Sequence, residues 1–291
     1  MDFNIQDFVH YLLAAAGAFR HDQPGTYLIS EEDGDLVENL WTGTEIANQV
    51  FVASDVRKNT PALYLLGKEK RSIFFVDKKS VLQWYRYDPD KEEWSEVEYE
   101  DKGKLTVHQS GRLSGCLSPQ GDEIVIFEGP ESGLQAYRAT DGEKFEALGP
   151  LPADLEPGTP HQALLLEDGT VHLLYVHRDK RIHHLAAKSP GLGEWTALLR
   201  IDHGISLPYP SANLNEEIAS FIVIPQGDGS LEICALMSGG KLVQVKSSGQ
   251  ITELGTVKQG RFTAHTSEEC GIELVRAVKK GIEAVGGMRK K

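Results

Sequence analysis

The chain has 291 residues, 40% of them hydrophobic, with 43 acidic against 30 basic side chains and a formal net charge of −13. That balance excludes a general nucleic-acid binder, which needs a basic face, and the absence of any run of about 18 apolar residues excludes a helical membrane span. Three widely spaced cysteines, Cys116, Cys234 and Cys270, form no CxxC pair, so no zinc site is expected and a reducing, cytoplasmic compartment fits best.

In chain order, the first element lies within residues 1–20. Phe8 to Phe19 has the apolar character of a signal-peptide core, but Asp2 and Asp7 precede it where such a signal carries Lys or Arg. Phe8, Leu12, Ala16 and Phe19 recur at helical spacing with Val9 and Leu13 beside them, which predicts an amphipathic helix over 1–20.

Five repeats follow: Thr26 to Gly43, Ser72 to Glu98, Glu123 to Gly149, Val171 to Leu199 and Leu231 to Gly255. Each reads as apolar strand, polar turn, second strand, looser turn and short third strand, and successive starts are roughly 45 to 60 residues apart, the spacing of propeller blades. A further apolar strand precedes each of the last four: Thr60 to Leu66, Arg112 to Ser118, His161 to Leu166 and Ala219 to Ile224. Their small residues suit the crowded axis of a ring. The first repeat lacks such a strand upstream, and Arg261 to Thr266 shares the Gly-Arg start of Gly111-Arg112. The expectation is therefore an all-β, five-bladed β-propeller of four-stranded blades over 21–267, closed by the C-terminal strand. A second helix over 268–288 is capped by Ser267 and carries the stripe Ile272, Val275, Val278, Ile282, Val285. The outer aromatics Trp94, Phe145 and Trp195 occupy equivalent places and are read as packing between blades.

In a propeller the loops leading into the innermost strands gather around the axis. Here they bring Lys58 and Asn59, His108, Gln109 and Arg112, His161 and Gln162, Tyr209 and Asn213, and Gln259 and Arg261. This cationic, amide-rich set suits an oxygen-rich or anionic small molecule. Arg112, His161 and Arg261 are the candidate catalytic donors of a cofactor-free pocket, and the others are candidate ligand contacts. His183 and His184 adjoin on one strand and so face opposite sides, with one buried and one exposed role expected. No metal site is assigned to the histidines. GxSxG, GxGxxG and P-loop signatures are absent, so no nucleotide or other cofactor is expected. Ser114 lies on an inner strand, where a pairing with His161 is geometrically open. Glycoside hydrolysis needs two carboxylates flanking the scissile bond, and the five inner-strand segments contain no Asp or Glu.

The segment Gly34-Asp35-Leu36-Val37-Glu38-Asn39-Leu40-Trp41 resembles the Gly-x-Ile-x-Glu-x-x-Tyr segment of fungal fucose-specific lectins. Ser80 to Tyr85 and Gly133 to Tyr137 look like further copies. The resemblance implies a β-propeller, usually six-bladed. It also implies sugar sites built from an Arg opening one strand, a Glu on the next and an aromatic from the adjoining blade. Glu38 matches that Glu, while Thr26 stands where the Arg belongs, and later blades carry Trp84, Ala136, His184 and Gln244 at the Glu position. Glu38, Trp41 and Trp84 are thus the candidate remnant of a sugar site. Three functions stay open: a small-molecule pocket with an axial site, extending to a cofactor-free cyclase, isomerase or cycloaddition catalyst of secondary metabolism; a lectin binding a glycan; and a protein-interaction scaffold.

Overall fold

The computed structural model describes residues 5–20, 25–68, 70–100, 105–118, 120–131, 133–140, 144–188, 195–197, 216–226 and 230–265. The second helix, Tyr209 and Asn213 lie outside them. A short helix, α1 (Ile5–Leu13), opens the described chain. Blade 1 contains β1 (Ala16–Phe19), β2 (Thr26–Glu32), β3 (Asp35–Trp41) and β4 (Ile46–Ala53). Blade 2 contains β5 (Ala62–Leu66), β6 (Arg71–Val76), β7 (Leu82–Asp88) and β8 (Glu93–Glu96). Blade 3 contains β9 (Leu113–Leu117), β10 (Glu123–Glu128), β11 (Leu134–Thr140) and β12 (Lys144–Pro150). Blade 4 contains β13 (His161–Leu165), β14 (Thr170–Val176), β15 (Ile182–Lys188) and β16 (Thr196–Ala197). Blade 5 contains β17 (Ile218–Pro225), β18 (Leu231–Met237), β19 (Lys241–Val245), β20 (Ile251–Lys258) and β21 (Arg261–Ala264).

Each blade is an antiparallel meander, and β1, β5, β9, β13 and β17 run successively around the axis. Stacked blades bury both faces of their sheets, so the second strands read as continuous apolar runs rather than alternating ones; every residue of β10 is buried. The core is correspondingly divided into clusters between blades 1 and 2, 2 and 3, 3 and 4, and 4 and 5. Trp94, Phe145 and Trp195 each sit in one of these clusters, as their repeat positions require. The inner strands are crowded: a Cβ on Gly115 would lie 2.1 Å from the Ile124 carbonyl oxygen and 2.6 Å from a Leu63 methyl, so only glycine fits.

The closure differs from the expectation. Arg261–Ala264 does form a strand, but it pairs with β20 as a fifth, outermost strand of blade 5. The innermost strand of blade 1 is β1, drawn from the segment expected to continue the helix, and it pairs Ala16 with Ile29 through Phe19 with Thr26. Gly17 marks the switch: a Cβ there would meet the Tyr11 ring at 2.8 Å. α1 then packs on blade 5, with Phe8, Val9 and Leu12 buried against Ile222, Ile224, Cys234, Leu242 and Leu254. Its polar side chains clamp both blades. The Gln6 amide donates to the Gly260 carbonyl at 2.6 Å and accepts the Phe262 N–H at 3.0 Å, while Asp7 accepts the Trp41 indole N–H at 2.8 Å.

Candidate functional site

The inner strands enclose an axial channel. At the end where the loops lead into these strands it widens to a funnel of about 970 Å³, walled by residues 57–64, 109–115, 157–163 and 219–221 with parts of α1 and β1. At the opposite end it forms a second cavity of about 700 Å³, lined largely by apolar residues such as Leu66, Leu117, Leu166 and Ile224. Gln162 reaches into both cavities, and its carbonyl oxygen accepts the Val223 N–H at 2.6 Å, joining blades 4 and 5 across the channel wall.

Two arginines staple the funnel rim. Arg57 donates to the carbonyls of His108 at 3.1 Å and Gly111 at 3.3 Å, linking blades 2 and 3. Arg112 donates to Gly158 at 3.0 Å and Ala219 at 3.3 Å, spanning blades 3, 4 and 5. The Glu31 carboxylate accepts the Gly34 and Asn59 backbone N–H groups at 2.9 and 3.1 Å and is thereby held below its ordinary range. Among the described residues the side chains of Lys58, Asn59 and Gln109 face the funnel without a hydrogen-bond partner. The His108 ring instead turns to the Ser110 hydroxyl at 2.9 Å.

The funnel therefore gathers Lys58, Asn59, Gln109, Arg112, His161 and Gln162. It does not gather Gln259 or Arg261, which sit on the outer hairpin of blade 5 because the closing strand pairs there rather than at the axis. Trp41 lies away from the funnel, donating its indole N–H to Asp7 of α1 and packing on His10. Trp84 is fully buried against Phe74 and Phe145 between blades 2 and 3.

Ser114 Oγ and His161 Nδ1 are 2.6 Å apart, and His161 Nε2 lies 3.8 Å from Glu128 Oε1. The order is that of a nucleophilic triad, but the second distance exceeds a hydrogen bond. Burial, then the charge of Arg112, lowers His161 to about 3, which makes it a poor proton acceptor. The set is a buried polar link between blades 3 and 4. Burial raises Glu128 to about 7, against the opposing effects of the Gly158 and Arg112 N–H bonds and the Arg112 and Arg57 charges.

A second buried link lies within blade 4, where His172 Nδ1 and His184 Nε2 are 2.6 Å apart. Burial, then the neighbouring His172, lowers His184 to about 3. His183, on the opposite face, is half-exposed, as strand alternation requires. These values set a pH profile. His161 and His184 titrate near 6.5 when unfolded, so their contribution is complete above about pH 6.5 and is lost as pH falls towards 3. Glu128, ordinarily near 4.5, contributes in the opposite sense, losing stability as pH rises from 4.5 towards 7. Between pH 4.5 and 6.5 unfolding takes up one net proton from these three groups, about 1.4 kcal/mol per pH unit. Urea midpoints should therefore climb from pH 4.5 to a maximum near 6.5, and His184→Gln should flatten the climb. A wild-type midpoint that falls over that range would contradict the assignment.

The blade 1–blade 2 boundary holds a cluster absent from the sequence reading. The Arg71 guanidinium reaches both oxygens of Glu38 at 2.5 Å, and the Tyr64 hydroxyl donates to Glu38 at 2.6 Å. The Arg71 guanidinium carbon lies 3.8 Å from the Tyr87 ring centroid and 4.4 Å from that of Tyr27, with Trp94 at 5.3 Å. Burial, then the Glu38 charge, pushes the Tyr64 phenol far up, so it remains a donor. An Arg opening a strand, a Glu and aromatics are thus all present, but Arg71 comes from the next blade. Its only signal in the sequence is its place at the start of β6, equivalent to Thr26 at the start of β2.

Structural comparison finds β-propellers of similar fold among solved structures. AofleA from Arthrobotrys oligospora matches with a TM-score of 0.65 at 15% identity, over 86% of this chain and 74% of that one. SapL1 lectin, solved with alpha methyl fucoside, matches at 0.57 and 12% identity over 88% and 83%. The six-bladed fucose-recognising lectin of Aleuria aurantia matches at 0.56 and 16% identity over 81% and 74%. At such identities the likeness is one of fold, and this ring has five blades. No protein-family model and no curated protein matches the chain.

Proposed function

We propose that this protein is a carbohydrate-binding propeller whose ligand sits in the axial funnel. Of the readings open from sequence, the lectin is favoured by the fold it shares with proteins described as binding fucosides. The observation that carries the location is the set Lys58, Asn59 and Gln109, whose side chains make no hydrogen bond among the described residues and converge from two blades on a cavity of about 970 Å³. Vicinal hydroxyls match such donors and acceptors, because each sugar oxygen both gives and takes a hydrogen bond. The Arg71–Glu38 pair is a weaker candidate, since its polar groups already satisfy one another.

Lys58 also gives the funnel an exposed ammonium, with the Glu31 carboxylate in its field, that can donate a charged hydrogen bond to a sugar oxygen. A glycan array followed by calorimetry tests this. The double variant Lys58→Ala, Gln109→Ala removes two exposed side chains and should weaken the best array ligand by about ten- to a hundredfold, the loss of one or two hydrogen bonds including a charged one. An array without binders overturns the function. A ligand bound equally well by the variant overturns the location.

A further inference from the structure

We propose that the β14–β15 hairpin of blade 4 is a transition-metal site, formed by His177, Asp179 and His183. This is independent of the carbohydrate reading. The ligand atoms of the three residues all lie within 4.8 Å of one another. Strand alternation sets this up. Tyr175 and His177 share a face of the hairpin, and His183 stands opposite Tyr175 in register. The two imidazoles consequently stack, with centroids 4.0 Å apart and planes 15° apart.

Asp179, at the turn, offers one carboxylate oxygen to each ring: Oδ1 lies 3.1 Å from His177 Nδ1 and Oδ2 lies 3.0 Å from His183 Nε2. Ligand atoms about 2.0–2.1 Å from a common ion are about 2.9–3.4 Å apart at coordination angles between 90° and 109°. Each nitrogen-to-oxygen spacing falls in that range but on a separate carboxylate oxygen, so a shared ion draws the three side chains, whose ligand atoms lie within 4.8 Å of one another, closer together. Two imidazoles and one carboxylate suit Zn²⁺, Ni²⁺ or Cu²⁺ and do not suit Ca²⁺ or Mg²⁺, which take oxygen ligands.

The surroundings fit this use. His177 directs its other ring nitrogen towards Asp154, with Nε2 3.8 Å from Oδ2, and Asp154 is fixed by Arg178 Nε at 2.7 Å. At 3.8 Å this is a charge contact and not a hydrogen bond, so it sets negative charge behind His177 without fixing its tautomer. The Asp179 carboxyl is held below its ordinary range, against burial, by the Arg181 N–H and by both histidines, so it is ionised at neutral pH. His177 and His183 are 23% and 36% exposed, so an ion has a path in and positions left for water or an exogenous ligand. The hairpin also lies on the funnel face, since Tyr175 pairs with His161, the first residue of β13.

The test uses the full chain without an affinity tag. Titration with Zn²⁺, Ni²⁺ and Cu²⁺ against a chromophoric chelator should give one ion per chain, with no response to Ca²⁺. His177→Ala and His183→Ala should each weaken binding by at least about tenfold. The Cu²⁺ electron paramagnetic resonance spectrum of the unmodified protein should show two coupled nitrogens, a readout that needs no variant to fold. Unchanged affinity in both histidine variants, or a Cu²⁺ spectrum with no imidazole nitrogen, overturns the proposal.

Discussion

Phe8→Ala is expected to lower the unfolding free energy by about 3–5 kcal/mol, the cost of emptying a buried aromatic site. Phe8 is fully buried, packs on Phe19 at 5.5 Å and stands in the cluster that joins α1 to blade 5. A helix of nine residues is marginal alone, so α1 owes its existence to this contact. Among the described residues it is α1, rather than a shared strand, that packs at the junction of the first and last blades. The loss should therefore be local before it is global. Amide exchange should rise first in β1 and in the β20–β21 hairpin, which Gln6 holds, while β10 and β14 keep their protection. Leu13→Ala, on the exposed side of the same helix at 49% exposure, should change stability by less than about 0.5 kcal/mol. Equal urea midpoints for Phe8→Ala and the unmodified protein would show that the junction does not depend on α1.

The ring was legible because a propeller repeats one buried pattern. The inner strands expected at Thr60 to Leu66, Arg112 to Ser118, His161 to Leu166 and Ala219 to Ile224 appear as β5, β9, β13 and β17 within one or two residues. The closure was not legible. Ala16 and Phe19 fit a helical stripe begun by Phe8 and Leu12, and four residues are too few for periodicity to separate strand from helix. The shared Gly-Arg start of Arg261 and Arg112 reflects two tight turns, and a turn says nothing about which strand it pairs with.

The funnel was partly legible for a topological reason. Loops leading into inner strands must meet at the axis, so Lys58, Asn59, Gln109, Arg112 and His161 converge whatever their partners. Gln259 and Arg261 failed with the closure from which they were inferred. Glu128 was hidden because it ends a second strand, β10, rather than opening a first one, yet its carboxylate accepts the Arg112 and Gly158 N–H groups. Contacts between blades carry no periodic signal. Arg71 meets Glu38 from 33 residues away, and matching the lectin motif within one blade, where Thr26 stands, misses a pair completed by the next.

That pair carries the second large effect. Arg71→Ala should cost about 3–5 kcal/mol, because it strands a carboxylate that is only 3% exposed between two blades. The Tyr64 hydroxyl would keep donating to Glu38, but one neutral donor does not replace the Arg71 cation, whose Nη2 reaches both carboxylate oxygens. Glu38→Ala should cost less, because the Arg71 side chain is 18% exposed and keeps the faces of Tyr27 and Tyr87. The double variant Glu38→Leu, Arg71→Met removes both charges while retaining volume, and should lie within about 1 kcal/mol of the unmodified protein, less stable by the orphaned Tyr64 hydroxyl unless Tyr64→Phe is added. Chemical denaturation of the full cycle measures the coupling, and additive single effects would show that the charges do not sense one another. The same double variant separates stability from binding. If the ligand sits in the funnel, removing Glu38 and Arg71 leaves glycan affinity intact, because the partners they satisfy are each other. If affinity falls with the pair while the fold persists, the sugar binds between blades 1 and 2, and the funnel is left to another ligand.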